Sequence, residues 1–291
     1  MAEFREEVGT KYVKQAPTRK RLIGEHPVSH ADDTQPFLLR ASVVLPTGEL
    51  LLLDKANTHI KLVDTNFNCL AVMKFGTYPF DICASNKRRT EYYVTEPEAQ
   101  TVYLIMAGNG RMTKYKSWRV FEDCRGITCW KSGIALSVMR GGFIGTLGFL
   151  DYECKMKKKV WESELHTNLF KAPWYLESIR GGNQVVVSDQ GNHSVICIEA
   201  KTLNVIFIFK SENLIGPRTV TVDPEDNIYV IGSSETCHNV VKITPAGKLK
   251  GILLSREDKL NYPSGISFSV KDGAVVLQRN RDKPTVSLFS V

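Results

Sequence analysis

Two markers recur along this chain at a spacing near 46 residues, and a strand-built repeat of that length leaves few folds open. The first is a turn residue leading into an apolar strand. It occurs at Pro36-Phe37-Leu38-Leu39, Pro79-Phe80-Asp81-Ile82, Pro173-Trp174-Tyr175-Leu176, Pro217-Arg218-Thr219-Val220 and Pro263-Ser264-Gly265-Ile266. Arg125-Gly126-Ile127 stands at the third unit's place, and the prolines step by 43, 94 (two units), 44 and 46 residues. The second marker is a β-rich run ending in a polar loop, as in Leu50 to Asp54, Tyr92 to Glu96, Ile134 to Val138, Val185 to Asp189, Ile228 to Ile231 and Ala274 to Leu277. Its loops begin at Asp54, Glu96, Asp189, Ser233 and Arg279, stepping by 42, 93, 44 and 46, so the two markers drift together.

Each unit holds four short strands divided by turn signals. Pro46-Thr47-Gly48-Glu49, Gly181-Gly182-Asn183 and Pro224-Glu225-Asp226-Asn227 join first strands to second; Thr65-Asn66-Phe67-Asn68 and Thr244-Pro245-Ala246-Gly247 join third to fourth. No stretch carries the period of a long amphipathic helix. Six such units predict an all-β, six-bladed β-propeller of four-stranded blades, in which radial repetition leaves few exposed strand edges. The last unit reaches Val291 after three strands, around Ile266, Val276 and Val286. Its fourth strand is expected from Gly9 to Arg21. The expected organisation is therefore a segment 1–35 that closes the ring and one propeller domain over 36–291, uninterrupted by any linker-like composition.

The polar loops carry a recognisable phrase. Gly48-Glu-Leu-Leu-Leu-Leu-Asp54-Lys-Ala-Asn57-Thr-His-Ile60 and Asn183-Gln-Val-Val-Val-Ser-Asp189-Gln-Gly-Asn192-His-Ser-Val195 resemble the NHL repeat, with its Asp-x-x-Asn turn before an apolar strand. Asp and Asn suit such turns because their side chains bond nearby backbone groups. The second, third and sixth units depart from the phrase, with Glu96-Pro-Glu-Ala99, Met139-Arg140-Gly141-Gly142 and Arg279-Asn280-Arg281-Asp282. The chain is thus similar to a divergent NHL propeller, like the C-terminal domain of tripartite-motif (TRIM-NHL) ubiquitin ligases. The resemblance implies a non-catalytic recognition domain, the target-binding part of a ubiquitin-ligase-type scaffold. No RING-type cysteine–histidine pattern is present, so no ligase chemistry, and no enzyme activity, is expected of this chain.

Charge bears on the partner. Lysine and arginine number 38 against 31 acids, a net +7, which favours an acidic ligand. Blade-to-blade loops and second-to-third-strand loops share one propeller face. That face is expected to carry Arg125, Arg140, Lys171, Arg218, Arg279 and Arg281 among Phe80, Trp174, Tyr175 and Tyr262, with Lys55 and Lys283 nearby and Glu96, Glu98, Glu235 and Asp282 diluting the charge. Cations beside aromatic rings suit either a protein or single-stranded RNA. Arg125, Tyr175 and Arg218, from successive blades, are expected to converge as a clamp for a phosphate or carboxylate, unless the arginines pair with Asp123 or Asp223. Neither DNA nor a membrane is an expected partner, and the isolated domain is expected to be a monomer. Further basic runs, Lys87-Arg88-Arg89 and Lys155-Met156-Lys157-Lys158-Lys159, are read as solvated turns.

Other chemistry finds little support. Cys124-x4-Cys129, His26-x3-His30 and Cys237-His238 supply no second ligand pair for zinc, and Gly141 to Gly148 lacks the lysine of a phosphate loop. Neither metal nor cofactor is expected. The competing reading is a metal-dependent propeller hydrolase or lactonase, for which the innermost strands offer Asp81, Glu177 and Asp223. Seven scattered cysteines, a charged N-terminus and no apolar run of ~18 residues point to a soluble cytoplasmic chain with reduced thiols.

Overall fold

The computed structural model describes residues 21–120, 123–140, 144–159, 169–278 and 282–291. They build six antiparallel four-stranded sheets. Blade I comprises β2 (Leu39–Val44), β3 (Leu50–Asp54), β4 (His59–Val63) and β5 (Cys69–Lys74). Blade II comprises β6 (Ile82–Ala84), β7 (Glu91–Glu96), β8 (Thr101–Gly108) and β9 (Arg111–Arg119). Blade III comprises β10 (Asp123–Trp130), β11 (Gly133–Arg140), β12 (Ile144–Leu150) and β13 (Met156–Lys159). Blade IV comprises β14 (Pro173–Ile179), β15 (Gln184–Asp189), β16 (Ser194–Glu199) and β17 (Val205–Phe209). Blade V comprises β18 (Pro217–Val222), β19 (Ile228–Ser233), β20 (His238–Ile243) and β21 (Leu249–Leu254). Blade VI joins β22 (Ser264–Ser269), β23 (Ala274–Gln278) and β24 (Thr285–Ser290) to β1 (Arg21–Pro27).

The ring is closed by an N-terminal strand, as the repeat arithmetic requires, but by Arg21–Pro27 rather than Gly9 to Arg21. Residues 9–20 lie outside the described residues. The misplacement has a physical cause: every β1 side chain is at least partly exposed, so the strand has no apolar face to read. Its hold comes from backbone pairing with β24, from His26 stacked 4.2 Å over Phe67, and from Val28 just beyond it, 1% exposed.

Burial follows radial position. The second strands β3, β7, β19 and β23 are buried along their whole length because the sheets of neighbouring blades pack on both their faces. Each fully buried leucine or isoleucine there contributes about 1.5–3 kcal/mol. The outer strands β5, β9, β17 and β21 are largely exposed or half-buried instead, and the Lys155–Lys159 run falls largely on another outer strand, β13, rather than in a tight turn.

The Asp-x-x-Asn turns lock blades to linkers. Asp54 accepts the backbone N–H of Leu38 at 3.1 Å and the Asn57 amide at 2.7 Å. Asp189 accepts Lys171 and Ala172 N–H groups at 2.9 and 2.8 Å and the Asn192 amide at 2.9 Å. Glu96, a departure from the repeat phrase, does the same work: it accepts the Thr77 N–H at 2.6 Å and the Tyr103 hydroxyl at 2.8 Å.

Five innermost strands share one irregularity. In β2, β10, β14, β18 and β22 the pairing with the second strand slips by one extra residue near the strand's start. The slips enclose Arg40-Ala41, Arg125-Gly126, Trp174, Arg218-Thr219 and Gly265. Such a bulge bends the strand and re-aims its side chains, here at one mouth of the central channel.

Candidate functional site

The bulges of β2, β14, β18 and β22 surround a cavity of about 200 Å³ at that mouth, lined by Arg40, Lys55, Trp174, Tyr175, Arg218, Thr219 and Tyr262 among others. Its charge is one-sided, since the lining holds two arginines and a lysine and no carboxylate. Gly265 has a φ of +56° here, and a Cβ at this position would lie 2.4 Å from the Leu39 side chain. Gly126 lets blade III approach blade IV, where a Cβ would meet the Trp174 carbonyl oxygen at 2.6 Å.

Arg40 is the residue that sequence reasoning missed. Its guanidinium carbon lies 3.8 Å from the centre of the Phe80 ring and 5.4 Å from each of Trp174 and Tyr175. Strand alternation assigned it no role, but the bulge shifts the phase of the strand and turns it into the channel. Among the described residues, Arg40 Nε, Trp174 Nε1 and Thr219 Oγ1 are buried polar atoms that meet no hydrogen-bond partner of the protein. Such groups carry a full desolvation penalty and are rare in folded proteins.

The expected site residues fall into three groups. Arg125, Phe80, Trp174 and Tyr175 come together around Arg40, with the Arg125 guanidinium 5.4 Å from the Trp174 ring, and Arg218 and Tyr262 line the same cavity. Arg125 also pairs with Asp123 at 2.9 Å, one of the acids considered from sequence. Tyr175 and Phe80 are 3% and 1% exposed and stack on one another at 5.2 Å, so they form the floor rather than a platform open to a base. Burial pushes the Tyr175 hydroxyl up to about 12. Tyr262 faces His238, ring centres 4.4 Å apart. Lys171 is exposed and is absent from the cavity lining. Arg140 ends β11, and Arg279 and Arg281 lie outside the described residues.

The three acids proposed for a metal do not assemble as a set: Asp81 and Glu177 lie near one another, and Asp223 is apart. Asp81 Oδ1 and Oδ2 accept the backbone N–H groups of Ile82 and Ile127 at 2.9 and 3.0 Å. Asp223 lies beyond the far end of β18, held by Asn227, by the Tyr229 hydroxyl at 3.0 Å and by Lys242 at 3.4 Å. Among the described residues no group of three or more His, Cys, Asp or Glu side chains is placed to hold a metal ion. All seven cysteines are free thiols, and no described helix is long and apolar enough to cross a membrane.

No family model matches this sequence, the NHL repeat included, and no curated protein is similar to it. Solved structures are similar in fold. Hydrazine synthase of Kuenenia stuttgartiensis superposes with a TM-score of 0.62 at 16% identity, over 86% of this chain and 76% of its own. Virginiamycin B lyase from Staphylococcus aureus gives 0.61 at 13% identity, over 94% and 99%. The β-propeller domain of Myceliophteria thermophila Cps50 (Swd1) gives 0.61 at 12%, over 87% and 83%. At these identities the likeness establishes a propeller fold. It also corrects one expectation: two of these three neighbours are enzymes, so the architecture gives no ground for reading the chain as a non-enzyme. What stands is a propeller consistent with a protein-binding scaffold.

Proposed function

We propose that the bulged channel mouth is the receptor for an acidic segment of a protein partner. The observation that carries this reading is the set of buried donors on Arg40, Trp174 and Thr219, three side chains of a cavity whose lining offers no carboxylate in return. Arginine and indole N–H groups donate only, so the missing acceptor is an oxyanion, and charge-assisted bonds to it are among the stronger ones. A carboxylate side chain fits a cavity of about 200 Å³ without opening the ring. Single-stranded RNA draws on base stacking, which the buried Phe80 and Tyr175 do not offer. On the NHL resemblance, supported by the Asp54–Asn57 and Asp189–Asn192 turns, the receptor serves as the targeting part of a ubiquitin-ligase-type scaffold in the cytoplasm.

A glutamate-rich peptide and an oligouridylate are the probes, each titrated into wild type, Arg40→Ala and Arg40→Lys at two salt concentrations. Arg40→Ala should weaken peptide binding about 10- to 100-fold, the equivalent of 1.4–2.8 kcal/mol lost with a charged hydrogen-bond donor. Arg40→Lys should recover only part, because lysine keeps the charge and loses the fork. If the wild type prefers the oligouridylate, or if Arg40→Ala binds the peptide as wild type does, the reading is wrong.

A further inference from the structure

The channel's opposite end is built differently. There the second halves of the innermost strands enclose a cavity of about 210 Å³ to which all six blades contribute. Its polar wall is Ser42, Asn86, Thr128, Ser178, Thr221 and Ser267, and its single carboxylate is Glu177. No lysine, arginine or histidine lines it. The other titratable groups on the surrounding strands are Asp81, Cys83 and Cys129, all of which are neutral or negative, and Arg40, which acts on Asp81, lines the other mouth. Glu177 Oε1 accepts the Ser178 N–H at 2.9 Å, and Thr128 bonds the same carboxyl group.

A carboxylate grouped with hydroxyls, in a lining that holds no cationic side chain, suits a cation supplied by a ligand. Asp81 is absent from the cavity's lining, which leaves Glu177 as its one carboxylate, whereas a hard divalent ion takes six or more oxygens. A primary ammonium needs less: one carboxylate for its charge and two hydroxyl oxygens for its remaining N–H groups. Serine and threonine oxygens are acceptors of that kind. Ser42 donates to Ser267 at 2.8 Å, so the Ser42 oxygen keeps its lone pairs for a further donor.

We propose that this end of the channel binds a small primary ammonium compound, with Glu177 as counter-ion and the Ser42, Thr128 and Ser267 hydroxyls as its acceptors. Burial supports the assignment by raising Glu177 to about 7, so the carboxylate ionises fully only when a cation joins it. The site is independent of the acidic-segment receptor and faces the other way.

Calorimetric titration of the full chain with propylammonium chloride tests this, with 1-propanol, tetramethylammonium chloride and calcium chloride as comparators. Propylammonium should bind more tightly than the other three. Its affinity should rise by roughly an order of magnitude from pH 6 to pH 8, with proton release on binding at pH 6 and none at pH 8. Glu177→Gln should lose at least tenfold, while Lys210→Ala, exposed and outside both cavities, should bind propylammonium as wild type does. In the ligand-free chain the raised acid holds more protons folded than unfolded between about 4.5 and 7, so stability should fall as pH rises through that window, and Glu177→Gln should lack the slope. Equal binding of 1-propanol, tighter binding of calcium, retention by Glu177→Gln, or no binding by wild type would each overturn the proposal. The pH dependence and proton release are read on wild type, so the test survives a variant that misfolds.

Discussion

Replacing Asp54 with alanine is expected to destabilise the protein by about 3–5 kcal/mol, the range for breaking a buried ion pair by removing one partner. Asp54 and Lys61 are both fully buried, 2.9 Å apart, and Lys61 also bonds Asp33 at 2.6 Å. Alanine at 54 would leave the buried Lys61 ammonium with Asp33 as its one remaining carboxylate and would remove the acceptor of the Leu38 N–H and the Asn57 amide. The equivalent turn in blade IV provides the control. Asp189 makes the same turn bonds, but Ile196 stands where Lys61 does, so Asp189→Ala should cost only about 1–3 kcal/mol. Asp54→Ala/Lys61→Met should regain part of the loss, since an apolar side chain can fill the place of a buried pair. Chemical denaturation of the variants measures the ranking. Equal losses at Asp54 and Asp189 would show that the turn, not the ion pair, carries the energy.

A chain beginning at Ser29 should lose on the order of 5 kcal/mol, from ladder bonds worth about 1 kcal/mol each and the burial of Val28. The truncated chain lacks the β1 pairing, the His26–Phe67 stack and the Val28 side chain that packs near Phe37, Val276 and Val286. It also bares β24, whose Thr-Val-Ser-Leu-Phe-Ser edge bears no charge and invites pairing with another chain. Thermal unfolding should show a midpoint lower by roughly 10 °C, and size-exclusion chromatography should show larger species. A peptide spanning Arg21 to Ser29 should restore both. An unchanged midpoint would mean that the closing strand does not hold the ring.

Most of the fold is legible in the order of turn residues. Prolines at 36, 79, 173, 217 and 263 mark where innermost strands begin, because a residue without an N–H suits a strand's start. The candidate site is less legible, and for one reason. A period-2 reading presumes an unbroken ladder, and the bulges break it at the mouth. Arg40 therefore reads as one more residue of an apolar strand, and Tyr175 as an accessible ring when it is part of the floor. Lys61 is hidden differently: nothing local distinguishes a lysine aimed at Asp54 from one aimed at water. Glu177 is visible as an innermost acid, but its separation from Asp223 depends on which end of a strand each residue occupies.

The bulges also bear on how such a ring changes over generations. A residue in regular pairing answers to the neighbour opposite it and to the next blade, so its replacement disturbs both. Arg40, Arg125 and Arg218 sit where the count of residues on the two strands disagrees, so the ladder sets no register partner opposite them. Gly126 and Gly265 in these slips leave no room for a Cβ. Mutation can therefore rewrite what the mouth accepts while the blades keep their alignment, which separates the evolution of ligand choice from the evolution of stability.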